Sequence, residues 1–305
     1  MDATDFRANA PLAPLTTWGI GGPAGFLAEP NDFDSLDRAL RFAVRERFEV
    51  VAIGGGSNLL VSDAGFDGLV VRYAADAREL RAGTDETRLW VEAGARLSSV
   101  ARWSSRLGWA GMEWAEGIPG TIGGAVCGNA GAYGGEMAEI IESVEERTGD
   151  GARRTLTAAQ AGFAYRSSRW KSIPPTEGFV VAATLRLRRG DPVALEERLR
   201  TIARERKSKT PAGSSTGSVF QNPPGESAGR LLEQAEMKGA SEGGAVISTA
   251  HGNYIVNRGG ATASDVLALI RRARAAVLAR SGILLTPEVR FIGFSRDEIA
   301  DLVVS

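Results

Sequence analysis

The sequence is short of the side chains that most often carry metal and nucleophile chemistry. It has one cysteine, Cys127, and one histidine, His251, in 305 residues. A lone cysteine excludes an intramolecular disulfide and a cysteine-based zinc site; a lone histidine excludes HExxH and other multi-histidine sites. No metal is expected. A Ser-His-Asp triad would have to recruit His251, and neither "VSDAG" (61–65) nor "GTIGG" (120–124) is a nucleophile elbow. No Gly-Lys pair occurs, so a Walker A loop is absent. The Rossmann fingerprint fails too, because "GGGSNLL" (54–60) has Leu59 where the third glycine belongs. Charge of one sign is also missing: 36 Lys and Arg face 37 Asp and Glu, for a net charge of -1. That leaves no broad positive field for nucleic acid or an anionic membrane. No apolar run reaches the ~18 residues of a membrane span. "MDATDFRANAP" (1–11) is acidic where a signal peptide is basic. A cytoplasmic protein is expected, with no nucleic-acid or membrane partner.

Glycine is what the chain has in excess: 38 residues, including "GGG" at 54–56 and ten between Gly108 and Gly135. Glycine clustered between apolar segments marks backbone in unusual dihedrals, or backbone approached closely by something else. A ligand bearing phosphates is the usual visitor.

The length suggests two or three domains. "GFLAEP" (25–30) reads as a strand, and Phe33, Leu36, Leu40, Ala43 and Val44 follow at helical spacing behind a cap at Asp32 or Asp34. "EVVAIGGG" (49–56) and "GLVVRY" (68–73) read as strands, giving an α+β start. A helix from about Ser98 to Leu107 ends at Gly108. "ESVEERTGDGARRTLT" (142–157) reads as a hairpin with a Gly-Asp-Gly turn. "GFVVAATLRLRRG" (178–190) is a further strand. A helix carrying Leu195, Leu199, Ile202 and Ala203 stops before Pro211, and "SAGRLLEQAEMKG" (227–239) is read as a helix ending at Gly239. "GGAVIS" (243–248) and "NYIVNRG" (253–259) are strands. The clearest helix has Thr262 or Ser264 as its cap and Val266, Leu269, Ile270, Ala273 and Val277 as its stripe, and Gly282 ends it. "LLTPEVRFIG" (284–293) is read as a last strand. The best boundaries lie near 75 and near 210.

Three clusters stand out: "GGGSN" (54–58), "GIPGTIGGAVCGNAGAYGG" (117–135) and "GSVFQNP" (217–223). Each could be a tight turn or a linker. The nineteen-residue tract argues against that, because long irregular segments in compact domains are usually functional. The stretch "AGSSTGSVFQNPPG" (212–225) has linker composition, yet Val219 and Phe220 in its middle have no use in a spacer.

In order along the chain, "LTTWGIGG" (15–22), "GGGSNLL" (54–60), "GIPGTIGGA" (117–125), "NAGAYG" (129–134), "YRSS" (165–168), "GSVFQNP" (217–223), "HGNYIVN" (251–257) and "PEVRFIG" (287–293) closely resemble the UDP-N-acetylenolpyruvoylglucosamine reductase (MurB) family of bacterial cell-wall synthesis. The resemblance covers nearly the whole chain and matches the shorter form of the family, without the extra Tyr-bearing loop. It implies an α+β FAD-binding fold of the vanillyl-alcohol-oxidase type in two subdomains, plus a C-terminal α+β substrate-binding domain. The expected division is 1–75, with 285–305 a candidate to rejoin it, then 76–208, then 209–284. FAD is the implied cofactor, NADPH the reductant and the enolpyruvyl group of a UDP-sugar the substrate. A monomer is expected.

Carried over residue by residue, the resemblance puts the catalytic serine on Ser218, the arginine on Arg166 and the carboxylate on Glu288. It implies cofactor contacts from Gly54, Gly55, Gly56, Ser57, Asn58, Leu59, Gly117, Pro119, Gly120, Thr121, Gly123, Gly124, Ala125, Asn129, Gly131 and Arg206. Substrate contacts are implied for Lys209, Gln221, Asn222 and Tyr133. Gly19 departs from the family, where many relatives have a basic residue.

The chemistry fits these residue types. Hydride addition to the β-carbon of an enol-ether acrylate pushes negative charge into the carboxylate, and a cation aimed there is needed. The planar fork of Arg166 suits it. Glu288 helps if protonated, or by orienting Arg166 or a water. Ser218 then protonates the α-carbon, as an acid rather than an acyl nucleophile, so no histidine partner is needed. For Tyr133 core packing and ligand contact remain equal alternatives. Asn222 could meet a diphosphate oxygen or cap the turn that follows it. His251 is read as structural. The alternatives are another FAD-linked oxidoreductase of the same fold and a non-catalytic nucleotide-sugar binding protein. Both are disfavoured by Ser218, Arg166 and Glu288 occurring together.

Overall fold

The computed structural model describes residues 6–303 apart from Ala82 and Thr84. The described residues fall into two compact units. Unit 1 holds residues 6–8, 26–55 and 68–206, and unit 2 holds 9–25, 56–67 and 207–303.

Unit 1 is built on a six-stranded antiparallel sheet. Its path runs Arg153–Thr157, Ile141–Thr148, Gly178–Arg189, Glu86–Glu92 and Arg78–Arg81, and the short strand Trp109–Ala110 also pairs with Gly178–Arg189. Gly178–Arg189 is the central strand of this path, and its first eight residues, apolar but for Thr184, are all buried. The Gly-Asp-Gly turn joins two of these strands as expected.

Helix α1 (Phe33–Glu46) starts at a capping box: the Ser35 N–H donates to the Asp32 carboxylate and Asp32 N–H to the Ser35 hydroxyl. It buries Leu36, Ala39, Leu40, Phe42 and Ala43. Strands Val50–Ala52 and Leu69–Val71 pair in parallel. Helices α2 (Leu97–Arg106), α3 (Ile122–Cys127), α4 (Met137–Ile140) and α5 (Pro192–Lys209) follow.

One apolar cluster joins Leu36 and Leu40 of α1 to Leu89, Val144, Ala183 and Leu185 of the sheet, each fully buried Leu worth about 1.5–3 kcal/mol. Both flavin-binding segments expected from the sequence, 1–75 and 76–208, contribute to it. Inside this frame Arg147, 1% exposed, sends Nε and Nη2 to Asp37 Oδ1 at 2.9 and 2.7 Å and Nη1 to the Thr176 carbonyl.

Unit 2 is assembled from three stretches of chain. Strands Ser241–Glu242, Ala245–Ile247 and Ile255–Asn257 form an antiparallel sheet, and Leu59–Val61 pairs in parallel with Arg290–Ile292. Helices α6 (Ala228–Gln234) and α7 (Ala263–Ser281) pack together, and α8 (Arg296–Ile299) follows. Of the two expected caps, Thr262 is the one that starts α7, through a capping box with Asp265, and Gly282 ends it in the left-handed region. Asp63 adds a second cap, accepting the N–H groups of Ala263 and Ser264.

Two expectations are corrected. The helix read over 227–239 stops at Gln234, because Glu236 takes φ 57° and the Met237 N–H turns back to the Leu232 carbonyl. The strand read over 284–293 is regular only at Arg290–Ile292. Before that, the backbone of Thr286–Glu288 bonds to 219–221 instead.

Candidate active site

In unit 1 the first two glycines of "GGG" meet the nineteen-residue tract. A methyl group on Gly54 would stand 2.5 Å from Thr121 Oγ1, and one on Gly55 would stand 2.8 Å from Gly120 Cα. The two loops therefore pack backbone to backbone, which only glycine permits. Among the described residues no acceptor is found for the backbone N–H groups of Gly54, Gly55, Gly117, Gly120 or Thr121. Thr121 caps α3 through the Gly124 N–H. Gly123 packs on Ala93, where a methyl would come within 2.9 Å of Ala93 Cβ, and buried Ala125 bonds within α3. Pro119 is exposed on the same loop. A methyl on Gly117 would stand 2.9 Å from Arg206 Cδ, so the Arg206 side chain lies against this tract.

The far end of the tract holds Arg166. Gly131–Ala132 and Gly135–Glu136 form a small hairpin with Tyr133 and Gly134 as its two-residue turn, both at positive φ (51° and 81°). Tyr133 packs half-buried against the unit 1 core. A second turn has Ala164 and Ser167 exchanging both backbone hydrogen bonds, with Tyr165 and Arg166 at its tip. Arg166 takes φ 53°, a costly conformation for a side chain of its size. Its Nη2 donates to the Gly131 carbonyl at 2.8 Å and Nη1 to the Asn129 carbonyl at 3.4 Å.

The turn is tied to the tract from below. Asn129 Nδ2 donates to the Ala164 carbonyl, Asn129 Oδ1 accepts from the Ala138 N–H, and Ser168 Oγ donates to the Cys127 carbonyl. Asn129 is 1% exposed. The role its geometry shows is support of the Arg166 turn.

Unit 2 holds the other expected residues. Gly56 takes φ 63° and accepts the Thr17 N–H, Ser57 follows half-buried, and Leu59 opens the strand paired with Arg290. Asn58 Nδ2 donates to the Glu288 carbonyl at 3.1 Å, and the Arg290 N–H donates to the Asn58 carbonyl. On its other side the Glu288 N–H donates to the Val219 carbonyl at 2.8 Å, Phe220 bridges Pro287, and the Gln221 N–H donates to the Thr286 carbonyl. Ser218 therefore leads directly into the segment bonded to Thr286–Glu288. Val219 and Phe220 are 1% and 2% exposed, so the stretch of linker composition is anchored in a core. Lys209 is exposed at the end of α5. Asn222 Oδ1 accepts the Ala228 N–H at 3.0 Å, the capping geometry among its two expected roles.

Asn253 was not singled out in the sequence. It is 3% exposed; its Oδ1 accepts the Phe220 N–H at 2.9 Å, its Nδ2 donates to the Phe220 carbonyl at 2.8 Å, and its own carbonyl accepts the Val219 N–H. An amide 33 residues away in sequence gives no local signal. His251 Nδ1 accepts the Asn253 N–H at 3.2 Å, and its ring lies on Tyr254 with centroids 4.8 Å apart. Burial first, and the charge of Lys238 second, hold its pKa below the ordinary histidine value. Among the described residues no cluster of His, Cys, Asp and Glu could hold a metal ion, and no helix is long and apolar enough to cross a membrane.

Residues 24–157 match the family described as "FAD binding domain", and residues 208–292 match "UDP-N-acetylenolpyruvoylglucosamine reductase, C-terminal domain". The chain thus has an α+β FAD-binding fold followed by a C-terminal α+β domain. It is 46% identical to UDP-N-acetylenolpyruvoylglucosamine reductase of Chloroflexus aggregans, over 94% of this chain and 97% of that one. It is 44% identical to the Gloeobacter violaceus enzyme of the same name, over 92% and 94%. Among solved structures, the MurB reductase of Thermus caldophilus superposes with a TM-score of 0.80 at 37% identity, covering 94% of this chain and 99% of that one. The chain belongs to the UDP-N-acetylenolpyruvoylglucosamine reductase family.

The unit 1 tract fits the implied cofactor. Glycine N–H groups with no acceptor among the described residues lie on two touching loops, an arrangement that suits a diphosphate, and a methyl at Gly54 or Gly55 would collide with the facing loop.

Proposed function

We propose that this chain carries out the reaction of its family: FAD-dependent reduction, by NADPH, of the enolpyruvyl group of UDP-N-acetylglucosamine enolpyruvate to UDP-N-acetylmuramate, a step of peptidoglycan precursor synthesis. The observation that carries the reading is the pairing of the Val219–Gln221 segment with Thr286–Glu288, which puts Ser218 and Glu288 on adjacent hydrogen-bonded segments.

Bound FAD supplies the hydride chemistry that no side chain can. This chain's residues do the rest. Gly54, Gly55, Gly117, Gly120 and Thr121 offer N–H groups to the cofactor diphosphate, and Arg206 adds a cation. By the family resemblance we also assign cofactor contacts to Gly56, Ser57, Asn58, Leu59, Pro119, Gly123, Gly124, Ala125 and Gly131. Asn129 acts there by holding the Arg166 turn.

As hydride reaches the β-carbon, charge develops on the substrate carboxylate, and Arg166 is the cation that meets it. Its guanidinium is held by two carbonyls, so it is oriented before substrate arrives. Ser218 Oγ–H gives its proton to the α-carbon, completing the addition, and is reprotonated from solvent. Glu288 orients the donor side of that step. Lys209 and the Asn222 amide meet the UDP diphosphate, with Gln221 and Tyr133 lining the substrate site. We further propose a cytoplasmic monomer, with unit 1 functioning as two flavin-binding subdomains.

The test is anaerobic reduction of the yellow, FAD-loaded protein by NADPH, followed by addition of UDP-N-acetylglucosamine enolpyruvate. Reoxidation with formation of UDP-N-acetylmuramate is expected. A colourless protein that cannot be loaded with FAD, or a reduced protein indifferent to the enolpyruvyl sugar, refutes the proposal.

A further inference from the structure

The Ser218 hydroxyl has to sit over one carbon atom, yet it lies in a stretch rich in Gly, Ser and Pro. Something other than local sequence must fix it. Between Val219 and Gln221 the backbone is bonded on two sides. One side is ordinary: the Val219 carbonyl takes the Glu288 N–H, and the Gln221 N–H gives to the Thr286 carbonyl. On the other side no strand among the described residues pairs with it. There the carboxamide of Asn253 pairs with both backbone groups of Phe220, at 2.9 and 2.8 Å, and the Asn253 carbonyl takes the Val219 N–H. A primary amide is the one uncharged side-chain group with a donor and an acceptor set like those of a peptide unit. Asn253 therefore stands in for a residue of an adjoining strand, and at 3% exposure its amide is shielded from solvent.

We infer that Asn253 is a positioning residue for proton transfer: by pairing with Phe220 it fixes the Val219–Gln221 strand, and with it the Ser218 hydroxyl relative to Glu288. Asn253 touches neither substrate nor cofactor in this role. The inference rests on the reading of Ser218 as the proton donor. Misplacing a reacting group by about 1 Å costs on the order of 10²-fold in rate. Replacing Asn253 by Ala removes both bonds and leaves two backbone groups of Phe220 unpaired.

The experiment uses the FAD-loaded protein and measures both half-reactions separately, for wild type, S218A, N253A and S218A/N253A. Flavin reduction by NADPH is expected within about twofold of wild type in all four, because no atom of this clamp lies in unit 1. Reoxidation by the enolpyruvyl sugar is expected to slow on the order of 10²-fold in N253A, with a larger solvent deuterium isotope effect. It is expected to be no slower in S218A/N253A than in S218A, since a clamp for an absent hydroxyl has nothing left to position.

A slow S218A with additive losses in the double variant, or with N253A losing both half-reactions equally, overturns the inference and leaves the Ser218 reading standing. An S218A that reoxidises normally overturns the reading of Ser218, and the inference with it. If N253A does not fold, N253D carries the test. It keeps an oxygen for the Phe220 N–H, but loses the donor to the Phe220 carbonyl and sets a second carboxylate oxygen against it. A selective slowing of reoxidation supports the inference, and an unchanged rate overturns it.

Discussion

In unit 1 the groups assigned to function sit where the backbone bends. Asn129, Tyr133 and Arg166 take φ values of 40°, 51° and 53°, and Gly117 and Gly120 take 69° and 117°. In unit 2, Ser218 leads into an extended segment bonded on two sides, with apolar side chains sunk in a core. The contrast follows from what each has to present. A diphosphate is met by N–H groups, which need no rotamer and are set by tight backbone turns alone. A hydroxyl that must deliver one proton to one carbon needs its backbone fixed from outside. Arg166 is intermediate: it lies at a turn, but its guanidinium is held by the carbonyls of Asn129 and Gly131.

The largest effect should come from Ser218→Ala. Reoxidation by the enolpyruvyl sugar is expected to slow by about 10²–10⁴-fold, with reduction by NADPH unchanged in stopped-flow absorbance. Equal losses in both half-reactions would erase the distinction between the units. Next is Arg147→Ala in the unit 1 frame. It removes the bonds to the Thr176 carbonyl and to Asp37, which keeps its second partner Arg41 at 2.7 Å, and should cost about 1–3 kcal/mol in chemical denaturation. A loss under about 1 kcal/mol would show that the pair behaves as a surface salt bridge.

Gly55→Ala tests the cradle. Its methyl collides with Gly120 Cα, so one loop must shift, at a cost of about 1–3 kcal/mol. FAD should be retained more weakly, read by equilibrium dialysis, while the C-terminal unit is unaffected. FAD binding equal to wild type would show that the two loops are not part of one cofactor cradle.

The smallest effect concerns His251. Burial, and then Lys238, depress its folded pKa, whereas the unfolded chain has the ordinary value of about 6.5. As pH falls, the unfolded state binds this proton first. The contribution of His251 to stability is therefore complete above about pH 6.5 and is lost as pH falls below it. Protonation at Nδ1 would also break the bond from the Asn253 N–H. A denaturation midpoint that drops between pH 7.5 and 5.5 in wild type, and drops less in His251→Gln, is the expected result. Identical slopes would remove His251 from the account.

The sequence showed most clearly what depends on near neighbours. The α7 stripe, the α1 stripe apart from the exposed Val44, the caps to within two residues and the Gly-Asp-Gly hairpin were legible, because each depends on near neighbours in the chain. The length of α6 was not, since its stop is a glutamate in a left-handed conformation rather than the glycine three residues on. The candidate residues Ser218, Arg166 and Glu288 were named through their motifs, but what holds them was hidden. The Asn253 clamp, the Asn129 tie and the Gly55–Gly120 contact all join residues more than 30 positions apart. Nothing in local periodicity reports such pairs.

Trp18 carries a consequence for how the chain comes into being. It is fully buried, and its indole N–H donates to the Ile255 carbonyl, 237 residues later. At roughly 5–20 residues per second on the ribosome, this large aromatic side chain waits on the order of ten to fifty seconds for its partner to be made. Throughout that interval the first stretch of unit 2 has no core to enter, so the nascent protein displays an indole that must be shielded or tolerated until its last third emerges.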